Sequence, residues 1–250
     1  QGASGATNSN AYDSSYGAVQ RATIDLEMGQ KLLLLVGQIG KSNTSHGNEN
    51  GGGGGTFVVR DNDYMITGLI SDLDTLIVAG GGGGAPSYSY SSNCSRTSGD
   101  AQLSTSGKTV SCYGTGQGGT NGSGGNSYSV SASYAGGAGS GMYTNGQSGW
   151  THCTAQPEGG KAFVNGGQGG FGYTCYSPNP HGGFGGGGAG GLGSPGGGGG
   201  YSGGGASGYW SSYADYGGGG GSYITSEGSN VTSQLATNIE DGKIIIEFVE

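Results

Sequence analysis

The segment LIVAGGGGGA, at residues 76–85, joins an apolar run of strand length directly to five consecutive glycines. A flexible linker has no need of a strand at its end, so this junction indicates that the glycines have a structural role. Similar glycine blocks occur at residues 51–55, 182–191, 196–205 and 217–221. Because glycine accounts for 65 of the 250 residues, the role of these blocks decides the fold.

The glycine-rich region could be disordered, collagen-like or folded. Its composition alone suggests disorder. Collagen is excluded because the glycine runs break a strict Gly-X-Y period and the chain has only five prolines. Charged side chains are scarce between residues 80 and 221, whereas disordered linkers usually carry more charge. The sequence therefore favours an ordered glycine-rich region.

Glycine runs can be ordered as extended helices of the polyproline II type, with three residues per turn. Without side chains, such helices can pack side by side and hydrogen-bond to several neighbours. Each backbone hydrogen bond stabilises by about 0.5–1.5 kcal/mol net, so many neighbours are needed to offset the entropy that glycine loses on folding. We therefore predict a bundle of polyglycine type II helices over residues 80–221.

The flanking sequence is typical of an ordinary β module. ATIDLEM alternates apolar and polar residues, as in a strand covered on one face, and KLLLLV is a continuous apolar run, as in a strand buried on both faces. No window has a clear 3.6-residue apolar period, so we predict almost no α-helix. The predicted strands lie at residues 22–28, 31–36, 56–59, 64–70, 74–79 and 243–249.

These elements predict a mostly β fold. A small antiparallel β-sandwich, formed by residues 1–79 plus 222–250, carries an inserted bundle of polyglycine helices at residues 80–221. The terminal strand lies far along the chain from its expected partners, with the glycine-rich region between them. A long insertion of this kind is tolerable because loop-closure entropy grows only slowly with length. We expect one compact unit with two halves.

The four cysteines all lie within the predicted insertion. An even number of cysteines in a loop-rich region with little core is typical of two disulfides, which form in oxidising compartments. Four cysteines allow three connectivities, of which the sequential pairing closes the shortest loops. The alternative is a zinc site, which is disfavoured because no C-x-x-C pair is present. The residues are Cys94, Cys112, Cys153 and Cys175.

Other features also predict a secreted, extracellular chain. The glycosylation triplets N-x-S/T begin at Asn43, Asn93, Asn121 and Asn230, although such triplets are common by chance in a Ser- and Asn-rich sequence. The chain begins at Gln1 without a methionine, which suggests removal of a signal peptide. No apolar run approaches the roughly 20 residues needed to span a bilayer. A net charge of -8 disfavours nucleic acid and anionic membranes as partners.

Four stretches, in this order, resemble a known family. They are MGQKLLLLVGQIG at residues 28–40, GGGGGTFVV at 51–59, LIVAGGGGGA at 76–85 and GGFGGGGAGGLGSPGGGGGYSGG at 182–204. Together they resemble the extracellular glycine-rich domain of the anaplastic lymphoma kinase and leukocyte tyrosine kinase receptors. The resemblance covers nearly the whole chain and implies a β module of tumour-necrosis-factor type combined with polyglycine helices. No growth-factor-like module, membrane span or kinase is present, and no cytokine-binding motif can be carried over.

No catalytic constellation is visible, so we predict that the chain is not an enzyme and has no cofactor or metal site. The G-x-S-x-G match at Gly200, Ser202 and Gly204 has glycine on both sides, whereas a nucleophile elbow needs a strand before it and a helix after it. The three histidines lie far apart in polar contexts and are predicted to be solvated. They are His46, His152 and His181.

Tyrosine is the residue type with which the predicted insertion could contact a binding partner. Tyrosine among Ser, Gly and Asn is typical of recognition loops, although the rings could equally cap the glycine helices. The interaction candidates are Tyr201, Tyr209, Trp210, Tyr213 and Tyr216.

Two main classes of function follow from these features. The favoured class is a secreted structural or adhesive protein acting through protein–protein contacts, for example as the repeating subunit of a fibre or coat, because the chain ends on a predicted strand with nothing attached. The alternative is a cytokine-binding ectodomain fragment of a receptor tyrosine kinase, and a minor one is ice binding. The partner is thus the protein itself or another extracellular protein. In the first class, the polar arm at residues 1–17 would add as a strand to a neighbour's sheet.

Overall fold

The computed structural model describes most of the chain. The described residues are 1–7, 15–42, 50–62, 73–86, 98–110, 115–128, 134–151, 155–172, 180–210, 213–237 and 239–249. No α-helix of seven or more residues occurs among them, and a short 3₁₀ helix spans Phe163–Asn165. The predicted mostly β fold with almost no α-helix is therefore confirmed.

The strands form antiparallel sheets. The strands are β1 (Ala18–Thr23), β2 (Lys31–Leu35), β3 (Thr56–Asp61), β4 (Leu73–Ala79), β5 (Tyr209–Trp210), β6 (Tyr213–Ala214), β7 (Tyr223–Ile224) and β8 (Ser229–Leu235). A four-stranded sheet has the order β2-β3-β4-β7, and two-stranded sheets are formed by β1-β8 and β5-β6. Because β7 and β8 pair with strands that precede residue 80, the chain returns to its first sheets after the glycine-rich region.

An apolar cluster joins the four-stranded sheet to the glycine-rich region. Phe57, Val59 and Val78 lie on one face of the sheet and are buried with Met142 from the glycine-rich region. Phe163 packs against the same cluster, and its ring centroid lies 5.0 Å from that of Phe57. Side-chain packing therefore contributes to the contact between the sheet and the glycine-rich region.

The glycine-rich region is held by hydrogen bonds that recur every three residues. The amides of Gly196 and Gly199 donate to the carbonyls of Asn50 and Gly53, at 2.9 Å in each case. The next two pairs of amides, each also three residues apart, donate to two other segments. Gly197 and Gly200 donate to Gly137 and Ser140, and Gly198 and Tyr201 donate to Gly218 and Gly221. Amides three residues apart thus face the same neighbour, as expected for an extended segment with three residues per turn.

The segment at residues 51–55 has the same arrangement. Its amides donate to segments 38–41 and 185–188, in each case from positions three residues apart, and Gly53 donates to Gly82. These glycines are buried, and so are those at residues 80–84, 196–200 and 217–221. We call this set of laterally bonded segments the glycine array. It includes residues 38–41, 51–55, 80–84, 184–188, 196–201 and 217–221. Its interior is made of backbone atoms instead of packed side chains.

The glycine array also includes segments that the sequence assigned to the β module. Residues 1–5 and 50–55 lie within it: Ala3 donates to Gly54, and Gly5 donates to Ser15. Ala3 and Ser4 are fully buried. The prediction that the arm at residues 1–17 adds as a strand to a neighbour's sheet is therefore wrong for its described residues, because these residues hydrogen-bond to their own chain.

Three strand predictions need correction. The alternation at residues 22–28 does not form a strand beyond Thr23, since the pairing of β1 with β8 ends at Thr23 and Ser229. β2 is not buried on both faces, because it is the edge of its sheet and Leu34 is 50% exposed. The terminal run at residues 243–249 pairs with no described strand. The strands predicted at 56–59 and 74–79 are confirmed as β3 and β4, and residues 64–70 lie outside the described residues.

Candidate interaction surfaces

An open apolar cavity of about 360 Å³ lies beside the edge strand β2. Three elements that are far apart in the sequence form it: β2, the start of β4 and the 3₁₀ helix with the turn that follows it. Phe184 of the glycine array closes one side. The lining residues are Leu33, Leu34, Leu35, Leu73, Phe163, Val164, Gly166 and Phe184. We call this feature the β2 groove.

The 3₁₀ helix is fixed at the groove by its C-terminal glycines. Gly166 adopts a left-handed conformation with φ of 95°, and its amide donates to the carbonyl of Phe163 at 3.0 Å. The amide of Gly167 donates to the carbonyl of Ala162 at 2.9 Å. The α-carbon of Gly167 lies so close to Leu35 that a side chain at this position would overlap the leucine. The turn therefore places Phe163 and Val164 against β2.

The chemistry of the β2 groove suits an apolar ligand. All of its lining side chains are aliphatic or aromatic, and none is ionisable. The adjacent strand β2 is an edge, so its outer backbone groups have no partner strand among the described residues. An edge of this kind is a template for pairing with a further strand. The groove can thus accept apolar side chains from an extended peptide that pairs with β2.

A second exposed apolar surface is the segment at residues 243–249, which we call the tail. Its sequence, KIIIEFV, has the composition of a strand. Ile245 is 66% exposed, and Phe248 is fully exposed. No backbone hydrogen bond joins residues 244–249 to another described residue. The start of the tail is fixed, since Gly242 donates to Gly37 at 2.8 Å and Lys243 to Gln1 at 2.9 Å.

The predicted aromatic interaction residues do not form one surface. Tyr216 is only 1% exposed, so its ring belongs to the interior. Tyr201 stacks on Tyr223 with ring centroids 4.6 Å apart, and burial raises the pKa of its hydroxyl. Tyr209, Trp210 and Tyr213 belong to the short hairpin β5-β6, of which the backbone pairing is described.

Two of the four candidate glycosylation sites are described, and both are exposed. Asn121 and Asn230 have positive φ values of 52° and 50°. Asn121 lies in a turn that is closed by a hydrogen bond from the amide of Ser123 to the carbonyl of Thr120. The other candidates, Asn43 and Asn93, lie outside the described residues. So do all of the predicted disulfide cysteines, Cys94, Cys112, Cys153 and Cys175.

His181 is partly buried, in contrast to the prediction that it is solvated. Its Nδ1 accepts a hydrogen bond from the amide of Gly172 at 3.0 Å, and its ring packs edge-on against Phe171 with centroids 5.1 Å apart. Burial, followed by the positive charge of Lys41, lowers the pKa of His181. The neutral ring therefore has a structural role as a hydrogen-bond acceptor. His46 and His152 lie outside the described residues.

The described part of the chain contains no cluster of three or more His, Cys, Asp or Glu residues with the spacing of a metal site. None of its helices is long and apolar enough to cross a membrane. No protein-family model matches the chain, and a search of curated proteins finds no match.

Proposed function

We propose that this protein is a non-enzymatic structural or adhesive protein that acts through protein–protein contacts, as the repeating subunit of an extracellular fibre or coat. The observation that carries the proposal is the pair of exposed apolar surfaces, the β2 groove and the tail. Monomeric soluble proteins rarely leave large contiguous apolar patches exposed, and such patches commonly mark interaction sites. Two such features on one chain favour association with further copies.

The glycine array would supply the rigidity of such a subunit. We infer that its segments are polyglycine type II helices. The three-residue recurrence of the hydrogen bonds supports this assignment, as does the burial of whole glycine runs. Neighbouring backbones approach so closely that side chains at many of these positions would overlap carbonyl oxygens. A body held by so many lateral bonds would transmit force with little deformation.

The proposed compartment is extracellular. The even number of cysteines favours disulfides and therefore an oxidising environment. The exposed triplets at Asn121 and Asn230 are compatible with glycosylation. The net charge of -8 favours protein partners over nucleic acid. The resemblance to receptor glycine-rich domains remains a prediction, and no feature of the β2 groove or the tail favours a cytokine over a second copy of the chain.

The proposal is tested on the oxidised chain produced by secretion. Sedimentation velocity and electron microscopy over a range of concentrations should detect assemblies that grow with concentration. The variant Phe184→Asp places a charge in the β2 groove and should weaken assembly. Leu103→Asp is the matched control, because Leu103 is also exposed but does not line the groove. A chain that remains monomeric and adheres to no surface at any concentration would contradict the proposed function.

A further inference from the structure

The β2 groove and the tail have complementary chemistry. In β2, with the sequence KLLLL, Lys31 precedes four leucines, and in the tail, with the sequence KIIIEFV, three isoleucines lie between Lys243 and Glu247. Lys31 and Glu247 are both exposed, and they carry opposite charges. The outer edge of β2 has no described partner strand, and the tail has no backbone bonds to described residues beyond Lys243.

An antiparallel pairing matches these features in a single register. With Glu247 opposite Lys31, Ile246 lies opposite Leu32 and Ile245 opposite Leu33. The ion pair and the apolar pairs then form together, as in stable antiparallel sheets. Residues opposite each other point to the same face, so Ile245 shares the face of Leu33, the side on which Leu33 packs against the apolar core cluster beside the groove. This register places an aliphatic side chain at the β2 groove.

The tail of the same chain is anchored in a different register. Its start is fixed by the hydrogen bond from Gly242 to Gly37. If the tail continued back along its own β2 from this point, Ile245 would lie opposite Leu34 and Glu247 opposite Leu32. A shift of one residue moves every side chain to the other face, so Ile246 instead of Ile245 would share the face of Leu33, and Glu247 would lose its cationic partner. A tail from another molecule is free of this constraint.

We infer that the tail of one molecule adds as an antiparallel strand to β2 of a second copy and inserts Ile245 into the β2 groove. This inference rests on the proposed function, for which it supplies the contact between subunits. Because the donating tail and the accepting groove are different surfaces, the contact is heterologous. Heterologous contacts generate rings or open filaments, since a pair of bound subunits still has one free tail and one free groove with which to bind further copies. Strand addition is an established mode of peptide recognition at exposed sheet edges.

The test uses two variants of the full chain, each with one defective surface. Ile245→Asp disables the tail, and Phe184→Asp disables the groove. Ile245 is 66% exposed and Phe184 is 38% exposed, so Ile245→Asp should leave the melting temperature unchanged within about 2 °C, and Phe184→Asp should lower it by about 5 °C or less. In sedimentation velocity, the association constant of each variant alone should be at least tenfold lower than that of the unmodified chain. A one-to-one mixture should form a discrete heterodimer, because one intact tail then meets one intact groove.

A charge exchange tests the register. Lys31→Glu and Glu247→Lys should each weaken assembly several-fold, and the double variant should recover most of the loss. Assembly that persists unchanged in Ile245→Asp would overturn this inference and leave the proposed function standing. A mixture that fails to form heterodimers would also overturn it. An unmodified chain that stays monomeric would overturn this inference, and it would also overturn the proposed function if it adheres to no surface. A closed ring without fibres would support the contact between subunits and contradict only the fibre.

Discussion

Among single residues, Gly198 demonstrates why many positions of the glycine array accept no side chain. Its amide donates to Gly218 at 2.9 Å, and a β-carbon at this position would overlap the carbonyl oxygen of Gly81. We predict that Gly198→Ala lowers the free energy of unfolding by about 3 kcal/mol or more, since it combines overpacking with the loss of buried hydrogen bonds. Chemical denaturation followed by circular dichroism measures the loss.

Gly29→Ala is the control for this prediction. Gly29 has a φ of 94°, but a β-carbon there has no neighbour within 4 Å. The substitution should therefore cost only the backbone strain of a left-handed alanine, about 1–2 kcal/mol. Equal losses for the two variants would mean that close packing of the glycine array does not determine its stability.

His181 predicts a pH dependence. Its pKa is lowered in the folded protein, mainly by burial, so the unfolded chain binds the proton more readily. The contribution of His181 to the free energy of unfolding is then fully present above its pKa in the unfolded chain, about 6.5, and falls as the pH drops below that value. Protonation also removes the Nδ1 lone pair that accepts the bond from Gly172. A nuclear magnetic resonance titration of the His181 ring should give a pKa below 6.5, and a higher value would contradict this assignment.

At the scale of elements, the two terminal segments should behave in opposite ways. Residues 1–7 lie in the glycine array, where Ala3 donates to Gly54, whereas residues 244–249 make no backbone bonds to described residues. Deleting residues 1–7 should lower the melting temperature by more than about 10 °C, because buried backbone groups lose their partners. Deleting residues 244–249 should change it by less than about 2 °C when measured on the monomer. Differential scanning calorimetry at low concentration compares the two deletions, and similar effects would contradict the assignment.

At the scale of the whole molecule, backbone bonding replaces side-chain packing over the glycine-rich half. Cooperative units of this kind open only through large unfolding events, so their amides exchange slowly. We predict strong protection at residues 196–201 and 217–221 in hydrogen exchange on the oxidised protein. Residues 244–249 of the monomer should exchange like a random coil. Fast exchange at residues 196–201 would show that the glycine array does not form in solution.

Some of the fold and little of the candidate site could be predicted from the sequence. β3 and β4 were predictable because their apolar runs are buried in the centre of a sheet. β8 was missed because its sequence, SNVTSQL, is polar and almost wholly exposed. The β2 groove has no local signal, since its residues come from β2, β4, the 3₁₀ helix and Phe184. Of the five aromatic candidates, the described rings of Tyr201 and Tyr216 are partly or fully buried.

The amino-acid sequence defines which backbone segments can approach closely over several residues, because a run of glycine leaves room for carbonyl oxygens where β-carbons would lie. It also determined where strands meet glycine runs, as at Ala79 and Gly80. Which of these segments become neighbours depends on the tertiary structure, because a glycine amide has no side chain to specify its partner. The same structure left the tail unpaired. Its apolar pattern predicts a strand, but strand pairing also requires a free edge within reach, and the residues of the tail do not determine whether its own chain offers one.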